Sequence, residues 1–418
     1  MDTFIKTFLS RQVSQIKAEG WPAVQFKLKM LIIALIFSPL LLFLRVLRPL
    51  FWIRFGYFTN ERIGHFVFDV EYYLTERKLG LYPAKAIDVF FYQSKKSANV
   101  YFAKMVQRNL KVHKWVKLLF QVNSWMPNGE YHKIFPARHT VGSRDKKGLF
   151  IQVEPQLKFN NEEIVEGQSF LHSIGMKDKK FICLIVRDSA YLNKSSLHKS
   201  GKWDYHNFRD ADINTFEETA LALAEKDYGV FRMGKMQEKP FMVENPNIFD
   251  YAKSKYRSDF LDIWLMANCF FCISTGTGLD EVSRIFRRPS VYVNYLPFQQ
   301  LVTYDHTISI PKHLLWQEMN KRLTLSEHLF HSYSHTEEYE DAKIKIQDLS
   351  SKEILKAVLE MEARLTGSWQ DSAEDQQLQN RFWQIFKSYP DFEKNHGIMH
   401  PEARVGAHFL RNNSEWLN

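Results

Sequence analysis

Short apolar runs rich in β-branched and aromatic residues alternate with longer stretches of helical spacing over most of this chain. Residues 53–59 read as a strand, 60–64 as a polar turn and 65–78 as a helix. The run 86–92, AIDVFFY, has the composition of a buried strand. A helix is expected over 97–108, then a shorter alternating element around 110–116. The pattern fades over 121–170, where 127–129 and 141–148 read as loops. A second series opens at 181–186 with FICLIV. After a polar insertion over 189–212 it continues with a helix at 215–227 and strands at 228–233 and 248–251. A helix at 259–268, a strand at 270–274, a helix at 279–286 and a strand at 290–294 complete it. Beyond Pro311 the chain reads as helical, most clearly over 352–365, and 404–417 is expected to pack back on the body.

Alternation of strand and helix builds parallel sheets covered on both faces. The expected fold is α/β: two Rossmann-like domains, 55–170 and 171–310, facing across a cleft, followed by a helical region over 311–418. Ligands of such sheets sit beyond the carboxyl ends of the strands. Residues 1–54 carry a different signature. The stretch 30–44, MLIIALIFSPLLLFL, holds no charge but is interrupted by Pro39. It falls short of the ~20 residues a spanning helix needs, and lengthening it to residue 53 encloses Arg45 and Arg48. It also lies too far from the first residue for an ordinary signal peptide. The reading is an N-terminal apolar, membrane-associated helical segment, in-plane or hairpin, with a single span or a buried helical hairpin as alternatives.

Charge strengthens that reading. The 418 residues carry a net charge of +9, and the first 60 hold eight Lys or Arg against Asp2 and Glu19. The remainder is close to balanced, which argues against a nucleic-acid footprint spread over a domain. A basic flank suits an anionic membrane surface, and the positive-inside tendency leaves the bulk of the chain cytoplasmic. With 34 Phe, 18 Tyr and 10 Trp, the cores should be aromatic-rich. Three cysteines make no disulfide framework, and Cys269 and Cys272 have no second pair for zinc. Core packing in a reducing setting is the expectation for them.

The candidate chemistry gathers at strand ends. Ser274-Thr275-Gly276-Thr277-Gly278 lies between a strand and a helix, where free amides and the helix dipole make an anion site. It matches neither a Walker A loop nor the G-x-S-x-G of serine hydrolases. A plain strand-to-helix turn is the bland alternative. Glu281, one turn later, is placed to accept hydrogen bonds from sugar hydroxyls, or else complements the dipole alongside Asp280. Arg187 closes one strand, and Arg232, with Gly234 just beyond, closes another, so both are placed to share one anion with the loop. Arg62-Ile63-Gly64-His65 opens an earlier helix. His65 titrates near neutrality and suits a general base, unless local hydrogen bonds satisfy it. Asp210-Ala211-Asp212 imitates a metal-binding D-x-D, yet it directly precedes a helix and reads as capping. His331 and His335 read as a solvated loop. No metal ligand set is expected.

Several segments resemble, in order, a bacterial family inferred to be glycosyltransferases of surface-polysaccharide synthesis. They are Cys183-Leu-Ile-Val-Arg-Asp, Phe231-Arg-Met-Gly, Asp250-Tyr, Ser258-Asp-Phe-Leu-Asp-Ile, Ser274-Thr-Gly-Thr-Gly-Leu and Val293-Asn. Arg62-Ile-Gly-His and Arg404-Val-Gly-Ala-His-Phe-Leu look like its terminal signatures. The resemblance covers roughly 60–300 plus the tail. It implies a GT-B architecture with the nucleotide-sugar in the C-terminal domain and the acceptor in the N-terminal one. It also implies a metal-independent reaction in which cationic groups and helix dipoles hold the leaving diphosphate. Thr-Gly-Thr-Gly replaces the Ser-Gly of many relatives, so a bulkier loop facing the donor is expected. The implied partners are a nucleotide-sugar, as substrate with no separate cofactor, a glycan or lipid-linked acceptor and the membrane surface. A catalytically idle sugar-nucleotide-binding subunit of an assembly complex, or a transferase of another activated donor, fits the same residues.

Overall fold

The computed structural model describes residues 20–188, 204–235 and 239–418, with isolated positions before residue 20. Most of the polar insertion, 189–203, therefore lies outside the described residues. Helix α1 (Trp21–Val46) leads into β1 (Trp52–Phe58), α2 (Ile63–Lys78), β2 (Ala86–Tyr92) and α3 (Val100–Asn109). Then come β3 (Lys111–Val112), α4 (Val116–Trp125), β4 (Lys133–Ile134) and α5 (Asn161–Ser173). The second series runs β5 (Phe181–Ile185), α6 (Glu217–Glu225), β6 (Gly229–Arg232), β7 (Ile248–Phe249) and α7 (Asp259–Asn268). It continues through β8 (Cys272–Ser274), α8 (Asp280–Ile285), β9 (Ser290–Tyr295) and β10 (Thr307–Pro311). Last come β11 (His313–Trp316), β12 (Lys321–Arg322), β13 (Ile344–Gln347), α9 (Ser351–Thr366), α10 (Ala373–Lys387) and β14 (Ala403–Val405).

The chain divides into two compact units and crosses between them repeatedly: residues 1–58, 80–93 and 109–136 form the smaller, and 59–79, 94–108 and 137–418 the larger. The smaller unit holds a parallel sheet of order β3-β2-β1-β4. Its core joins Phe55, Phe91, Val116, Leu119 and Val122 to Leu41 of α1, with Ile33, Ala34, Phe37 and Leu44 packed alongside. The apolar N-terminal segment is thus a continuous 26-residue helix that includes Pro39, where a 15-residue stretch broken at that proline was expected. By length and composition it can cross a membrane. Pro22 in its first turn supplies a backbone already set for helix.

The larger unit holds a seven-stranded sheet, β14-β10-β9-β8-β5-β6-β7, parallel throughout. From β5 the chain adds β6 and β7 on one side, then returns to add β8, β9 and β10 on the other. This is the Rossmann order, with its switch point between β5 and β8. Strands β5, β6 and β8 are buried along their whole length, which is why they read as unbroken apolar runs. Cys183, Cys269 and Cys272 are buried free thiols in this core, as their composition suggested. Capping residues set helix limits: Ser258 accepts from the Leu261 amide ahead of α7, and Ser350 forms a capping box with Glu353 ahead of α9.

Beyond Pro311 the chain is not simply helical. Strands β12-β11-β13 make a small antiparallel sheet, and β14 pairs with β10 at the edge of the large one. His313-Leu-Leu-Trp316 is too short to show a period, and the hairpin after it turns through Asn320 at φ 48°, a left-handed conformation asparagine tolerates. Helix α5, unassigned from the pattern, is marked by an Asn160–Glu163 capping box.

Candidate functional site

Because β5, β8 and β9 run parallel and adjacent, their carboxyl ends open on one edge of the sheet. A cavity of about 500 Å³ lies there, within the larger unit, a size suited to a small ligand. Arg187 and Asp188 enter it from the end of β5, Thr277 and Gly278 from the loop after β8, and Tyr295 from β9. Opposite them stands the start of α2, with Arg62, Gly64 and His65. Arg144, Arg209, Lys235 and Arg284 complete a wall whose cations outnumber the lining carboxylates Asp188, Asp262 and Glu281.

The loop after β8 is built around Asp280. Its Oδ2 accepts from Ser274 Oγ at 2.6 Å and from the Thr277 amide at 2.8 Å. Ser274 Oγ accepts from the Gly276 amide at 3.0 Å, and the Thr275 amide donates to the Ile185 carbonyl at 3.2 Å. Three amides expected to face an anion are thus engaged, two within the loop and its helix and one on β5, and α8 is only six residues long. Thr275 is buried, and its Oγ1 accepts from the Arg187 amide at 2.9 Å. The first threonine's bulk therefore faces inward and clamps β5 to β8 instead of crowding a donor.

Two glycines here are demanded by geometry. Gly276 has φ +80°, and a Cβ on it would lie 3.0 Å from the Tyr295 ring. A Cβ on Gly64 would lie 3.0 Å from Gly278 Cα, 3.2 Å from its carbonyl and 3.3 Å from Glu281 Cγ. Gly64 and Gly278 thus let the start of α2 rest directly on the loop. Gly234 also lines the cavity, with φ 143°.

The arginines divide sharply. Arg187 lines the cavity and pairs through Nε with Asp210 at 3.1 Å. Arg209, in the insertion whose role the sequence left open, donates from Nη2 to the Gly276 carbonyl at 2.6 Å. Its Nε is buried without a hydrogen-bond partner among the described residues. Arg144 is held by the Asn395 and Gln300 carbonyls, both at 3.2 Å. Arg232, expected beside Arg187, is 1% exposed and does not line the cavity. It donates to Asp250 at 3.1 Å and to the Lys239 carbonyl at 2.9 Å. Strand position put it near the right edge, but the half-buried carboxylate of Asp250 turned its guanidinium inward. The D-x-D aspartates are committed too. Asp210 pairs with Arg187, while Asp212 caps the following turn at the Asn214 amide and meets Lys239 at 3.0 Å. Among the described residues no cluster of His, Cys, Asp and Glu could hold a metal ion.

Glu281 and Asp305 share one guanidinium, that of Arg284, at 2.5 and 2.8 Å. Two carboxylates against one cation leave an excess negative charge. Burial pushes the Glu281 carboxyl up to about 8 against the pull of Arg284, with Asp280 and Asp305 adding to the rise. Its Oε2 has no partner among the described residues. Across the cavity, His65 Nδ1 lies 3.0 Å from Ser143 Oγ. Burial, then the charges of Arg138, Arg62 and His139, push its imidazole down to about 4, so it is neutral at physiological pH. Asp262, pushed up to about 6 by burial, is held by Tyr251 and Arg257, both at 3.0 Å. The arrangement can hold a polyanion among fixed cations and present a neutral imidazole to a hydroxyl. The pattern missed Arg144, Arg209, Lys235, Asp262 and Arg284. Of these, Arg209 was the most legible, since it directly precedes the D-x-D.

No family model and no curated protein matches the chain. Among solved structures, a glycosyl transferase family 9 protein from Veillonella parvula aligns with TM-score 0.42 and 13% identity over 76% of this chain and 98% of its own. The E. coli ADP-heptose LPS heptosyltransferase II aligns at 0.33 and 13% over 59% and 85%. E. coli heptosyltransferase WaaC with ADP aligns at 0.31 and 10% over 62% and 91%.

Proposed function

We propose that the chain is a GT-B-type glycosyltransferase that transfers a sugar from a nucleotide-diphosphate donor to a lipid-linked or surface glycan. One observation carries the reading: cations from separate segments, Arg62, Arg144, Arg187, Arg209 and Lys235, converge on a cavity at the switch point of a Rossmann-ordered sheet. Breaking a glycosyl–phosphate bond builds charge on the leaving diphosphate, and fixed cations in a sheltered site stabilise that charge without reorganising. In this reading Arg187 and Arg209 hold the diphosphate and no metal ion is needed. Thr277 and Gly278 border it, and Gly276 supplies the carbonyl that orients Arg209. The Glu281 carboxyl, protonated at neutral pH, donates to a ribose, sugar or phosphate oxygen. Neutral His65 takes the proton from the acceptor hydroxyl. The N-terminal helix keeps the enzyme on the cytoplasmic face of the inner membrane, beside a membrane-held acceptor.

The test is calorimetric titration of the full chain with nucleoside diphosphates in EDTA, followed by turnover of the matching nucleotide-sugar. Binding in EDTA that is lost in Arg187→Ala, together with acceptor-dependent release of nucleoside diphosphate, is expected. Absence of binding by every nucleoside diphosphate refutes the donor site, and binding without turnover on any acceptor favours the idle binding subunit.

A further inference from the structure

Helix α1 has two faces of different fate. Ala34, Phe37, Leu41 and Leu44, spaced three and four apart, pack on the core of the smaller unit. On the opposite side Leu28, Leu35 and Leu42, spaced seven apart, are 57%, 68% and 53% exposed. No charged residue occurs from Leu31 to Leu44. From Leu31 to Phe43 the outer face is therefore a continuous apolar stripe, with Leu28 set between Lys27 and Lys29 at one end and Arg45 and Arg48 at the other.

The second boundary is a built cluster. Arg45 donates to the Pro127 carbonyl at 2.7 Å and to Asn123 at 2.9 Å. Arg48 lies 4.5 Å from the Trp52 ring centroid and 4.8 Å from that of Tyr131, while Trp52 donates to the Tyr131 carbonyl at 2.8 Å. Tyr131 and Trp125 are exposed beside it. Amphipathic rings and basic groups at the rim of an apolar stripe are the chemistry of a membrane–water interface.

We propose that α1 is a monotopic membrane helix, lying in the plane of an anionic bilayer with its Leu28–Leu35–Leu42 face among the acyl chains. The proposal rests on the membrane part of the functional reading and is independent of the donor chemistry. A spanning helix needs lipid, or another spanning element, on every side through the hydrocarbon core. The inner contacts of α1 run from Ile33 to Leu44, roughly 17 Å at 1.5 Å per residue. The partner along that length is a sheet unit in which helix α4 carries Lys117 exposed in its first turn. An in-plane helix keeps those contacts in place, whereas a span would strip them away. Stripe, charged rims and aromatic cluster all fit a headgroup–acyl boundary.

The test uses the full chain with vesicles of phosphatidylethanolamine and phosphatidylglycerol, or of phosphatidylcholine alone. Single cysteines replacing Leu28, Leu35 and Leu42 take an environment-sensitive fluorophore, and spin-labelled lipids report its depth. The native cysteines are buried and stay unlabelled. Equal, shallow depths at all three sites, with tighter binding to the anionic vesicles, are expected. Substitution Leu35→Asp should weaken vesicle binding by at least about tenfold with an unchanged circular dichroism spectrum. A profile with Leu35 about 10 Å deeper than both flanking sites means the helix spans and overturns the proposal. So does a chain that ignores vesicles but forms a dimer abolished by Leu35→Asp, because the stripe then covers a second copy.

Discussion

Gly64→Ala sets two effects of opposite sign against each other. Gly64 lies in the first turn of α2, and on propensity alone alanine there stabilises a helix, by roughly 0.5–1 kcal/mol at an interior position. The new methyl, however, would sit 3.0 Å from Gly278 Cα, 3.2 Å from its carbonyl oxygen and 3.3 Å from Glu281 Cγ. Two of these neighbours are backbone, held by the loop that Asp280 organises, so they have little room to yield. Overpacking of this kind costs about 1–3 kcal/mol, which exceeds the propensity gain. With an unfolding entropy of about 2.1 cal/mol/K per residue, the larger unit should lose roughly 1.5 °C for each net kcal/mol, so a mid-range net cost of about 1.25 kcal/mol gives a fall of about 2 °C. The same wedge should displace Gly278 and Glu281 and weaken nucleoside diphosphate binding. Differential scanning calorimetry and titration on one preparation read both. Gly278→Ala places its methyl 3.2 Å from the Gly64 amide nitrogen, so the double variant should cost less than the two single costs added. A Gly64→Ala protein with an unchanged or raised Tm refutes the reasoning, because the contact is then soft and the glycine is there for another reason.

Other expectations follow from the same cavity. Removing Arg187 or Arg209 deletes a charge-assisted contact, so nucleoside diphosphate affinity should fall about tenfold to a hundredfold by titration, with a smaller loss of Tm than Arg232→Ala. Arg232→Ala should do the reverse: removing its buried guanidinium from the half-buried Asp250 carboxylate costs about 3 kcal/mol, the low end for a buried pair, while the folded fraction binds with unchanged affinity, and Arg232→Ala/Asp250→Ala should recover part of the loss. Glu281 is protonated below about 8 and ionises as pH rises through that value, adding negative charge beside an anionic ligand. Affinity should therefore drop above pH 8, and Glu281→Gln should flatten that limb. His65, pushed down to about 4, stays neutral across pH 5–9, so as the base it should give no acid limb in kcat until pH nears 4. His65→Gln should lower kcat about a hundredfold or more and leave donor affinity in place.

Local chemistry made much of this protein legible along the chain. The strand runs of 86–92 and 181–186, the helix over 259–268 and the loop over 274–278 emerged from composition and period, because each depends mainly on neighbours in sequence. The strand ends at Arg187 and the loop could be assigned to one sheet edge for the same reason, once the strands were taken as parallel. Contacts between distant segments decided the rest. Whether a strand-end arginine faces a cavity or turns to a neighbouring carboxylate depends on what stands beside it in space. Asp250 withdrew Arg232, and the chain's return at Gly276 recruited Arg209. The loop amides depend on Asp280, whose carboxylate filled the place an anion was expected to take. Gly64 and Gly278 read as two small residues far apart in sequence, yet their meaning is a single contact. Apolarity of the N-terminal segment was evident from its residues, but the core of the smaller unit decided which face is covered. Residue type sets what a side chain is able to do, while packing decides which partner satisfies it.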